Sequence, residues 1–564
     1  MIQVLSVSLA AAALLGTFPE VESDERVERF RGLLAVSDAG NIEAYVSGEE
    51  GGESGLRTAY PFASITKAFT AVLIMSLVEE GSLTLGSTVG SVLNAYADDP
   101  IGDVTVEQLL THTGGIPDPA PGEEGSGVGS LAEMARGVDG PGDIIANFAA
   151  MDLMFEAGSR YDYSNSGFIL LGAMAEAVTG LPYEEALRER VLKPAGVEDQ
   201  FCLCVDLEGY PDVHGREWLA GEETNAVQVH PSRSYAAGGL RGTAEGLVRW
   251  TEALVAGRIL SKKALDALWA PRVDTRREGV QYGYGWIITE MDGRRVVGHD
   301  GALPGIVSSL WVMPEQQRTA LGVLTRTLPL EHLSRSETYV GRLTEDTLLG
   351  QDRDIVPALA RPSRSLEGTF TLPDGKSFVI DRNGGELTLS TDPGWSVFQI
   401  EKLGTATGPG AELAERAATA WSEGGQAAME SMFSEDLRAN LPPGALDGAW
   451  SGFEVEFGPL SSSRVYAVSE DDGFAEVRFS FERAAVDVGF VLSPDGSIEG
   501  VQMIGVETET PPTSAEVFPT ADGRLFIDGY RYGLDDILAG TERGFFGIKT
   551  IGFGKGDSLQ ARKK

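Results

Sequence analysis

Hydrophobic residues are concentrated in a few long runs, and each run predicts a regular element. Residues 62–78 (FASITKAFTAVLIMSLV) are apolar nearly all round, which predicts a helix buried on every side. Residues 168–179 form a second apolar run that Gly180 ends, and they predict another helix. Apolar residues before and after Asp38-Ala-Gly-Asn predict a β-hairpin near the start of the chain.

Strand-like segments return after Tyr284. They comprise residues 286–288, 295–297, 306–313 and 320–325, and a helix over residues 334–349 is expected to follow. Between the hairpin and these strands, the pattern from Ser64 to about Trp269 is mainly helical. We therefore expect an α+β fold over residues 25–352, with an antiparallel sheet flanked by helices and an all-helical lobe. The functional site is expected between the sheet and the lobe.

The pattern changes after Asp352. Residues 357–365 (PALARPSRS) are typical of a linker. Short strands are predicted within residues 365–402 and again within 515–556, whereas residues 408–508 begin with two helices and continue as strands. We predict a small β-barrel-like domain that is split by an inserted α+β module.

Composition limits the classes of function. The chain has 564 residues, of which 42% are hydrophobic, so it is long enough for several domains and a large core. Its formal net charge is −39 and its isoelectric point is near 4.5. Because phosphate binding requires basic patches, no nucleic-acid partner is predicted.

The first residues resemble an export signal. Met1 to Phe18 is apolar, includes the small residues Ala10 to Ala13, and is too short for a comfortable membrane span. We expect residues 1–20 to be a signal peptide and the protein to be periplasmic or secreted, or cytoplasmic if Met1–Phe18 is not a signal. The basic start of a signal is missing, so a mis-assigned start or an N-terminal anchor stays open. No membrane span is predicted elsewhere.

Neither a metal nor a cofactor is predicted. Cys202 and Cys204 are separated by one residue, which strains a direct bridge, and no second pair exists to complete a zinc site, so we expect them to be unlinked. The scattered histidines have no carboxylate or cysteine at metal-ligand spacing.

The strongest chemical signal is Ser64-Ile65-Thr66-Lys67 at the head of the first apolar helix. Lys67 is three residues after Ser64 and therefore lies on the same helix face. A lysine inside an apolar core loses its proton readily and can then act as a base. Ser64 and Lys67 are thus candidates for a nucleophile and its activator.

Two later motifs complete a known order. Tyr163-Ser164-Asn165 precedes the second apolar helix, and His299-Asp300-Gly301 follows a strand-like segment. The succession Ser-x-x-Lys, Tyr-x-Asn, His-x-Gly resembles the serine β-lactamase and penicillin-binding-protein superfamily, most of all its class C branch with the D,D-carboxypeptidases, D-aminopeptidases and family VIII carboxylesterases. Supporting phrases are LLTHTGGI (109–116), YSNSGFILLG (163–172), AAGGL (236–240) and YGYGW (282–286).

This resemblance implies a role for each motif residue. Ser64 is the nucleophile that forms an acyl-enzyme, and Lys67 and Tyr163 share the base role as a coupled pair. Asn165 is expected to donate its amide to a substrate carbonyl and to hold Lys67, although capping of the following helix is compatible. The N–H groups of Ser64 and Ala302, just after Gly301, form the oxyanion hole. His112 is structural in this family.

The sequence departs from the lactamase pattern at His299 and Asp300, where lactamases have Lys-Thr-Gly or Lys-Ser-Gly. Histidine attracts an anion less than lysine does, and a carboxylate at Asp300 repels one. We hypothesise that neutral or amino-bearing esters and amides are preferred, unless Asp300 points away from the cleft. An acidic loop between Gly114 and Asp143 favours the same substrates if it forms the lip of the cleft; otherwise it is only a solvated loop.

The leading hypothesis is a serine hydrolase that acts on small-molecule esters, amides or peptides. A D,D-carboxypeptidase, D-aminopeptidase or weak β-lactamase is an alternative within the class, and a catalytically dead binding or regulatory protein is the alternative outside it. The C-terminal modules resemble the lipocalin-like tails of this family and, for residues 408–508, an NTF2-like cone. The sequence does not predict their role or the oligomeric state.

Overall fold

A computed structural model describes residues 3–4, 30–47, 55–118, 134–219, 222–275, 277, 279–328 and 333–351, and residues 366–563 apart from 373–376, 384–385, 392–407, 442–443, 470–472, 483, 494, 508–513, 520–524, 528–536, 545–546 and 554–558. The chain forms two compact units, Met1–Val356 and Pro357–Lys564. Most of the predicted signal peptide and the predicted linker lie outside the described residues, so both stay predictions.

Fifteen strands are described in the first unit. In chain order they are β1 (Gln3–Val4), β2 (Gly32–Asp38), β3 (Asn41–Ser47), β4 (Ala59–Pro61), β5 (Phe201–Cys202), β6 (Arg216–Leu219), β7 (Glu222–Asn225), β8 (Arg241–Thr243), β9 (Val273–Asp274), β10 (Gln281–Tyr282), β11 (Ile287–Met291), β12 (Arg294–Leu303), β13 (Ile306–Met313), β14 (Arg318–Leu324) and β15 (Arg326–Thr327).

The same unit contains ten described α-helices. They are α1 (Thr66–Glu80), α2 (Val89–Val92), α3 (Val106–Leu110), α4 (Pro141–Ile145), α5 (Asn165–Thr179), α6 (Tyr183–Leu187), α7 (Pro231–Gly238), α8 (Ala244–Val255), α9 (Lys262–Leu268) and α10 (Leu333–Leu349). A 3₁₀ turn, Ala63–Ile65, leads directly into α1. Further 3₁₀ turns are Gly55–Arg57, Asn94–Tyr96, Lys193–Ala195 and Pro314–Gln316, and Arg188–Leu192 is a π turn.

Nine of these strands form one sheet in the order β1-β3-β2-β14-β13-β12-β11-β10-β9. All neighbours are antiparallel except β1 and β3. Helix α10 packs on β13 and β14. The predicted α+β class is confirmed. The lobe between Ser64 and Trp269 is mainly helical, and it also contains the short strands β5–β8.

Helix α1 lies at the centre of the main core. Its residues from Thr66 to Met75 are all buried, and it packs against α5, α7 and α9. Gly81 ends the helix in the left-handed conformation at φ 85°, as a C-terminal glycine does. Since no side of α1 faces solvent between Thr66 and Met75, a charged residue in this stretch, such as Lys67, must find its partners inside the protein.

In the second unit, eight described strands close into a barrel: β16 (Gly368–Thr371), β17 (Ser377–Asn383), β18 (Glu386–Thr391), β23 (Ser514–Pro519), β24 (Leu525–Ile527), β25 (Ile537–Gly544), β26 (Gly547–Phe553) and β27 (Leu559–Lys563). Between β18 and β23 the chain forms helices α11 (Pro409–Met429), α12 (Glu435–Asn440) and α13 (Ala445–Phe457), a 3₁₀ turn (Glu430–Met432), and an antiparallel sheet of β19 (Leu460–Ser469), β20 (Phe474–Phe481), β21 (Ala485–Leu492) and β22 (Ile498–Glu507).

Aromatic side chains from the helices and the sheet form the core of this inserted part, among them Trp421, Trp450 and Phe479. The likeness of these parts to lipocalin-like and NTF2-like domains stays a prediction. Among the described residues, no helix combines the length and the apolar character needed to cross a bilayer.

The cysteine prediction was wrong. Cys202 and Cys204 are joined in a disulfide, with their Cα atoms 5.3 Å apart. Cys202 is the last residue of β5 and the chain bends directly after it, so the two Cα atoms come within the range that a disulfide spans. The strain expected for one intervening residue applies to a straight segment, and this segment is not straight.

Candidate active site

Ser64 and Lys67 lie where the 3₁₀ turn becomes helix α1. The Nζ atom of Lys67 is 3.1 Å from the Oγ atom of Ser64. Strand β12 packs against this turn. The helix thus brings the predicted nucleophile and activator into hydrogen-bond contact, as their spacing indicated.

Lys67 is completely buried, with an exposed fraction of 0%. Its ammonium group also donates to Oδ1 of Asn165 at 2.7 Å and to the backbone oxygen of Ala237 at 2.8 Å. Burial lowers the pKa of Lys67 to about 7, and the negative charge of Asp118 opposes this only in part. A substantial fraction of the side chain is therefore neutral at physiological pH.

Tyr163 completes the group. Its ring centroid is 4.8 Å from Nζ of Lys67, and its side chain is hydrogen bonded to Ser64. Burial raises the pKa of the Tyr163 phenol well above its ordinary value, although the Ser64 hydrogen bond acts in the other direction. The phenol therefore stays protonated at physiological pH, although 36% of the Tyr163 surface is exposed.

Asn165 is the first residue of helix α5, and Asp118 sets its orientation. The Asp118 carboxylate accepts from Nδ2 of Asn165 at 2.7 Å and from the backbone N–H groups of Asn165 and Ser166 at 3.0 and 2.9 Å. This contact turns Oδ1 of Asn165 toward Lys67. Asp118 thus caps the helix, a role that the sequence analysis had left open for Asn165.

The loop around His112 holds the Tyr163 segment in place. The backbone oxygen of His112 accepts from the N–H of Asp162 at 2.9 Å, and its Nδ1 atom accepts from the N–H of Ser164 at 3.1 Å. The His112 ring packs on the Tyr163 ring with centroids 4.3 Å apart. Both neighbours of Tyr163 are therefore anchored to one histidine.

His299, Asp300, Gly301 and Ala302 lie on β12, where they pair with residues 307–310 of β13. His299 is buried, its ring centroid is 6.2 Å from that of Tyr163, and burial lowers its pKa to about 3. Asp300 lies on the opposite face of the strand from His299, and its Oδ1 accepts from Oγ of Ser309 at 2.6 Å. This hydrogen bond is compatible with the alternative in which Asp300 points away from Ser64.

Gly301 brings β12 against the nucleophile. A Cβ atom at this position would lie 2.9 Å from the backbone nitrogen of Ser64 and 2.4 Å from the backbone oxygen of Phe62. Only glycine allows so close an approach at this position, because Cβ atoms essentially never come within 3.0 Å of another heavy atom. Ala302 follows on the same strand and pairs with Val307.

Unusual backbone conformations surround these residues. Six described residues other than glycine have positive φ, and three of them border the site: Ala63 (φ 47°), His112 (φ 56°) and Tyr235 (φ 40°). Ala63 precedes the nucleophile, and Tyr235 lies two residues before the Ala237 carbonyl that accepts from Lys67. Such conformations persist only where the surrounding structure enforces them, and they are concentrated at functional sites.

With this geometry established, sequence comparison identifies the family. The sequence model described as Beta-lactamase matches residues 24–345. The chain belongs to the beta-lactamase family. The predicted superfamily is thereby confirmed, and this family includes amidases, esterases and peptidases, which are hydrolases.

Curated relatives of this beta-lactamase-family chain span several activities. It is 25% identical to Penicillin-binding protein 4* of Bacillus subtilis (strain 168), over 64% of this chain and 84% of that protein. It is 26% identical to a D-aminopeptidase of Brucella anthropi, over 48% and 50%. It is 27% identical to Esterase EstB of Burkholderia gladioli, over 48% and 78%.

A solved structure supports the fold. The octameric penicillin-binding protein homologue from Pyrococcus abyssi matches with a TM-score of 0.52 and 21% identity, over 88% of this chain and 97% of that one. At this identity the likeness concerns the fold alone.

Asp118 and Tyr282 contact the site residues, and neither was predicted from the sequence to do so. Asp118 was one acid among several in the Gly- and Pro-rich loop, and the others at Glu123, Glu124 and Glu133 lie outside the described residues. The role of Asp118 becomes visible only in the fold, where it contacts Asn165, a residue 47 positions later in the sequence.

Within the described part of the chain, no group of three or more His, Cys, Asp or Glu residues is arranged to hold a metal ion.

Proposed function

We propose that this protein is a serine hydrolase that cleaves ester or amide bonds through an acyl-enzyme on Ser64. The single observation that carries the proposal is the contact of 3.1 Å between Ser64 Oγ and the buried Lys67 amine, whose pKa is lowered to about 7. A neutral amine in this position accepts the proton of the Ser64 hydroxyl as the oxygen attacks a carbonyl carbon.

The next step requires a proton for the leaving group. As the tetrahedral intermediate collapses, the carbon–heteroatom bond breaks and the leaving group takes the proton of the Tyr163 phenol, which Lys67 replaces from its ammonium. A raised pKa keeps Tyr163 protonated before this step, so we assign it the role of proton donor and relay and assign the base role to Lys67. Water then attacks the ester carbonyl, and the same groups carry protons in reverse.

The negative charge on the carbonyl oxygen needs two donors. We assign these to the N–H groups of Ser64 and Ala302, since Gly301 lets β12 lie directly against the Ser64 nitrogen. Each donor of this kind contributes about 3 kcal/mol to transition-state stabilisation. Asn165 remains our candidate for contact with the substrate carbonyl, because Asp118 and Lys67 fix both ends of its amide.

A fluorophosphonate probe tests the proposal, because it labels serines whose oxygen is activated. We expect the wild-type chain to be labelled at Ser64, as located by mass spectrometry of peptides, and Ser64→Ala to be unlabelled. Ser76→Ala, which removes a part-buried serine on the same helix that donates to Leu73, is the matched control and keeps full labelling. A wild-type chain that resists the probe would favour a catalytically dead binding protein.

The second element of the proposal concerns substrate charge. His299 is neutral at physiological pH, so the site lacks the cation that lactamases place at this position. Burial raises the pKa of Glu337, and the negative charge of Asp300 raises it further while Arg277 opposes, which places the two carboxylates in one region. We therefore propose neutral or amino-bearing esters and amides as substrates, in keeping with the D-aminopeptidase and esterase relatives.

Relative turnover of two chromogenic substrates checks this preference. We expect kcat/KM for a p-nitrophenyl acyl ester to exceed that for nitrocefin, which carries a carboxylate, by roughly 100-fold. Asp300→Asn is expected to narrow the ratio several-fold, whereas Asp266→Asn, which removes a surface carboxylate paired with Lys262, leaves it unchanged. Nitrocefin turnover as fast as ester turnover would contradict the preference, and an unchanged ratio in Asp300→Asn would show that Asp300 faces away.

A further inference from the structure

Two buried histidines flank Tyr163, and one tyrosine connects them. The ring centroids of His112 and His299 lie 4.3 and 6.2 Å from that of Tyr163. The hydroxyl oxygen of Tyr282 lies 3.1 Å from Nε2 of His112 and 2.9 Å from Nε2 of His299. Tyr282 is itself 1% exposed, so water does not compete for these contacts.

Backbone groups at both ends fix the direction of every hydrogen bond in this chain. Nδ1 of His299 is 2.5 Å from the backbone oxygen of Asp300, which only accepts, so His299 carries its hydrogen on Nδ1. Nε2 of neutral His299 is then an acceptor, and Tyr282 must donate to it. The Tyr282 oxygen therefore accepts from Nε2–H of His112.

The hydrogen bond at the His112 end of this hydrogen-bonded series has the same direction. A His112 ring with its hydrogen on Nε2 has a lone pair on Nδ1, and this is the atom that accepts the N–H of Ser164 at 3.1 Å. The two histidines are thus in opposite tautomers, and every polar hydrogen in the chain has an acceptor. The arrangement is complete only while both rings are neutral.

Protonation of either histidine ring disrupts this series of hydrogen bonds. If His299 gained a proton on Nε2, Tyr282 could no longer donate to it. Either the Tyr282 hydroxyl would lose its acceptor, or it would turn toward His112 and the His112 hydrogen would move to Nδ1. There it would meet the N–H of Ser164, and two donors would face each other inside the protein. An unsatisfied buried donor costs about 1–3 kcal/mol.

The charges around the chain act in the same direction. Burial lowers the pKa of both histidines and the charge of Lys67 on helix α1 lowers it further, whereas the backbone hydrogen bonds with Ser164 and Asp300 act in the other direction. The other titratable or charged groups that face this region are Tyr161, Tyr163, Asp118, Asp300, Arg277 and Glu337. The carboxylates among these groups do not offset burial, and both rings stay neutral.

We propose that Tyr282 is a positioning residue that locks His112 in the Nε2–H tautomer and His299 in the Nδ1–H tautomer, and so holds Tyr163 between two neutral rings. Tyr282 acts through these histidines and does not touch the substrate. The catalytic consequence rests on the proposed function, whereas the tautomers do not depend on it.

Histidine ¹⁵N NMR tests the tautomers directly, since the chain has only 5 histidines. In the wild-type protein we expect one resonance set with the pattern of an Nδ1–H ring and another with that of an Nε2–H ring, neither of which titrates between pH 5 and pH 8. His299→Asn and His112→Asn assign them. Titration of His299 within this range, or an Nε2–H pattern for its ring, would overturn the proposal. The wild-type spectrum is sufficient for this test, so no Tyr282 variant is needed.

Tyr282→Phe tests the positioning role. We expect at least one of the two histidines to change tautomer or to titrate, and kcat to fall roughly tenfold with little change in KM, because the Tyr163 oxygen is displaced. Tyr183→Phe is the matched control, because it removes a buried hydroxyl that contacts Thr70 at 2.6 Å, outside the chain of histidines. Equal kinetic effects of the two variants would contradict the role.

Labelling separates this inference from the proposed function. If the fluorophosphonate labels Ser64 and the NMR patterns are as described, both stand. If labelling fails while the tautomers are found, the proposed function fails and the locked histidines remain. If labelling succeeds and His299 titrates near its ordinary pKa, the lock alone is refuted.

Discussion

Replacement of Lys67 with methionine is expected to lower kcat/KM for a p-nitrophenyl ester by about 10⁴, because the group that we propose as acceptor of the Ser64 proton is lost. Methionine has a similar length and no charge, so it suits a position that is 0% exposed. Lys193→Met removes an exposed lysine paired with Glu189 and is expected to retain the wild-type rate. Stopped-flow measurement of the acylation step checks the result, and more than a tenth of wild-type acylation in Lys67→Met would exclude Lys67 as the base.

The pH dependence of the wild-type enzyme follows from the same group. Only the neutral amine accepts a proton, and burial lowers the pKa of Lys67 to about 7. We therefore expect kcat/KM to increase about tenfold per pH unit below pH 7 and to level off above it. The pKa of His299 is near 3 and that of Tyr163 is raised, so neither adds a second limb between pH 5 and pH 9. A flat profile over this interval would contradict the assignment.

The Lys67→Met protein is also expected to be more stable than the wild type at pH 7. The folded-state pKa of Lys67 is lowered from 10.5 to about 7, so the unfolded chain binds a proton that the folded chain releases. At about 1.4 kcal/mol per unit this difference amounts to about 5 kcal/mol, of which about 4 kcal/mol destabilises the wild-type fold at pH 7, where half of the folded chains still carry the proton. The lost hydrogen bonds of Asn165 and Ala237 offset part of the gain, which leaves about 2 kcal/mol.

The sign of the linkage gives a sharper test. Because the unfolded state binds more protons between pH 7 and about pH 10.5, wild-type stability increases as pH rises through this window. Methionine does not titrate, so the stability advantage of Lys67→Met must shrink from pH 7 to pH 9.5. Urea unfolding at both pH values measures it, and an advantage that grows with pH would be inconsistent with a buried, neutral lysine.

The main elements could be predicted because local pattern determines them. The apolar run at 62–78 and Gly81 define α1, and the strand predicted at 306–313 is β13 with the same bounds. Helix α5 begins at Asn165, three residues before the predicted start. The Asp118 carboxylate caps this first turn, whose polar residues do not continue the apolar pattern from which the helix was predicted. Long-range capping of this kind has no signature in the segment itself.

The chemistry of the site could be predicted only as far as residue type allows. Ser64 and Lys67 are neighbours on one helix, so their contact follows from spacing. The protonation of Tyr163 depends instead on the surroundings that the folded chain gives its phenol, which raise the pKa. The hydrogen-bond direction at His299 depends on a backbone oxygen and on Tyr282, a residue of a phrase that otherwise suggested only family membership. Protonation states and hydrogen-bond directions of this kind depend on contacts between residues that are distant in sequence, and they cannot be predicted from one segment.

Gly301→Ala is expected to lower kcat by about 10³, the loss that follows removal of an oxyanion donor. The added carbon would lie 2.4 Å from the Phe62 oxygen, 2.7 Å from Ser308 Oγ and 2.9 Å from the Ser64 nitrogen. Two of these three atoms are backbone, so β12 must move away from the 3₁₀ turn. We expect that the proposed oxyanion donors, the N–H groups of Ser64 and Ala302, then no longer converge on one oxygen.

Gly341→Ala is the matched control, because a Cβ atom at Gly341 in helix α10 meets no atom within 4 Å. It is expected to keep full activity and to gain up to about 1 kcal/mol of stability from helix propensity. Affinity for a boronic acid that forms a tetrahedral adduct with Ser64 gives a second measurement, and it should fall in Gly301→Ala together with kcat. If kcat falls while boronate affinity is retained, the strand does not supply the oxyanion donor, because loss of that donor must weaken both states that carry negative charge on the oxygen.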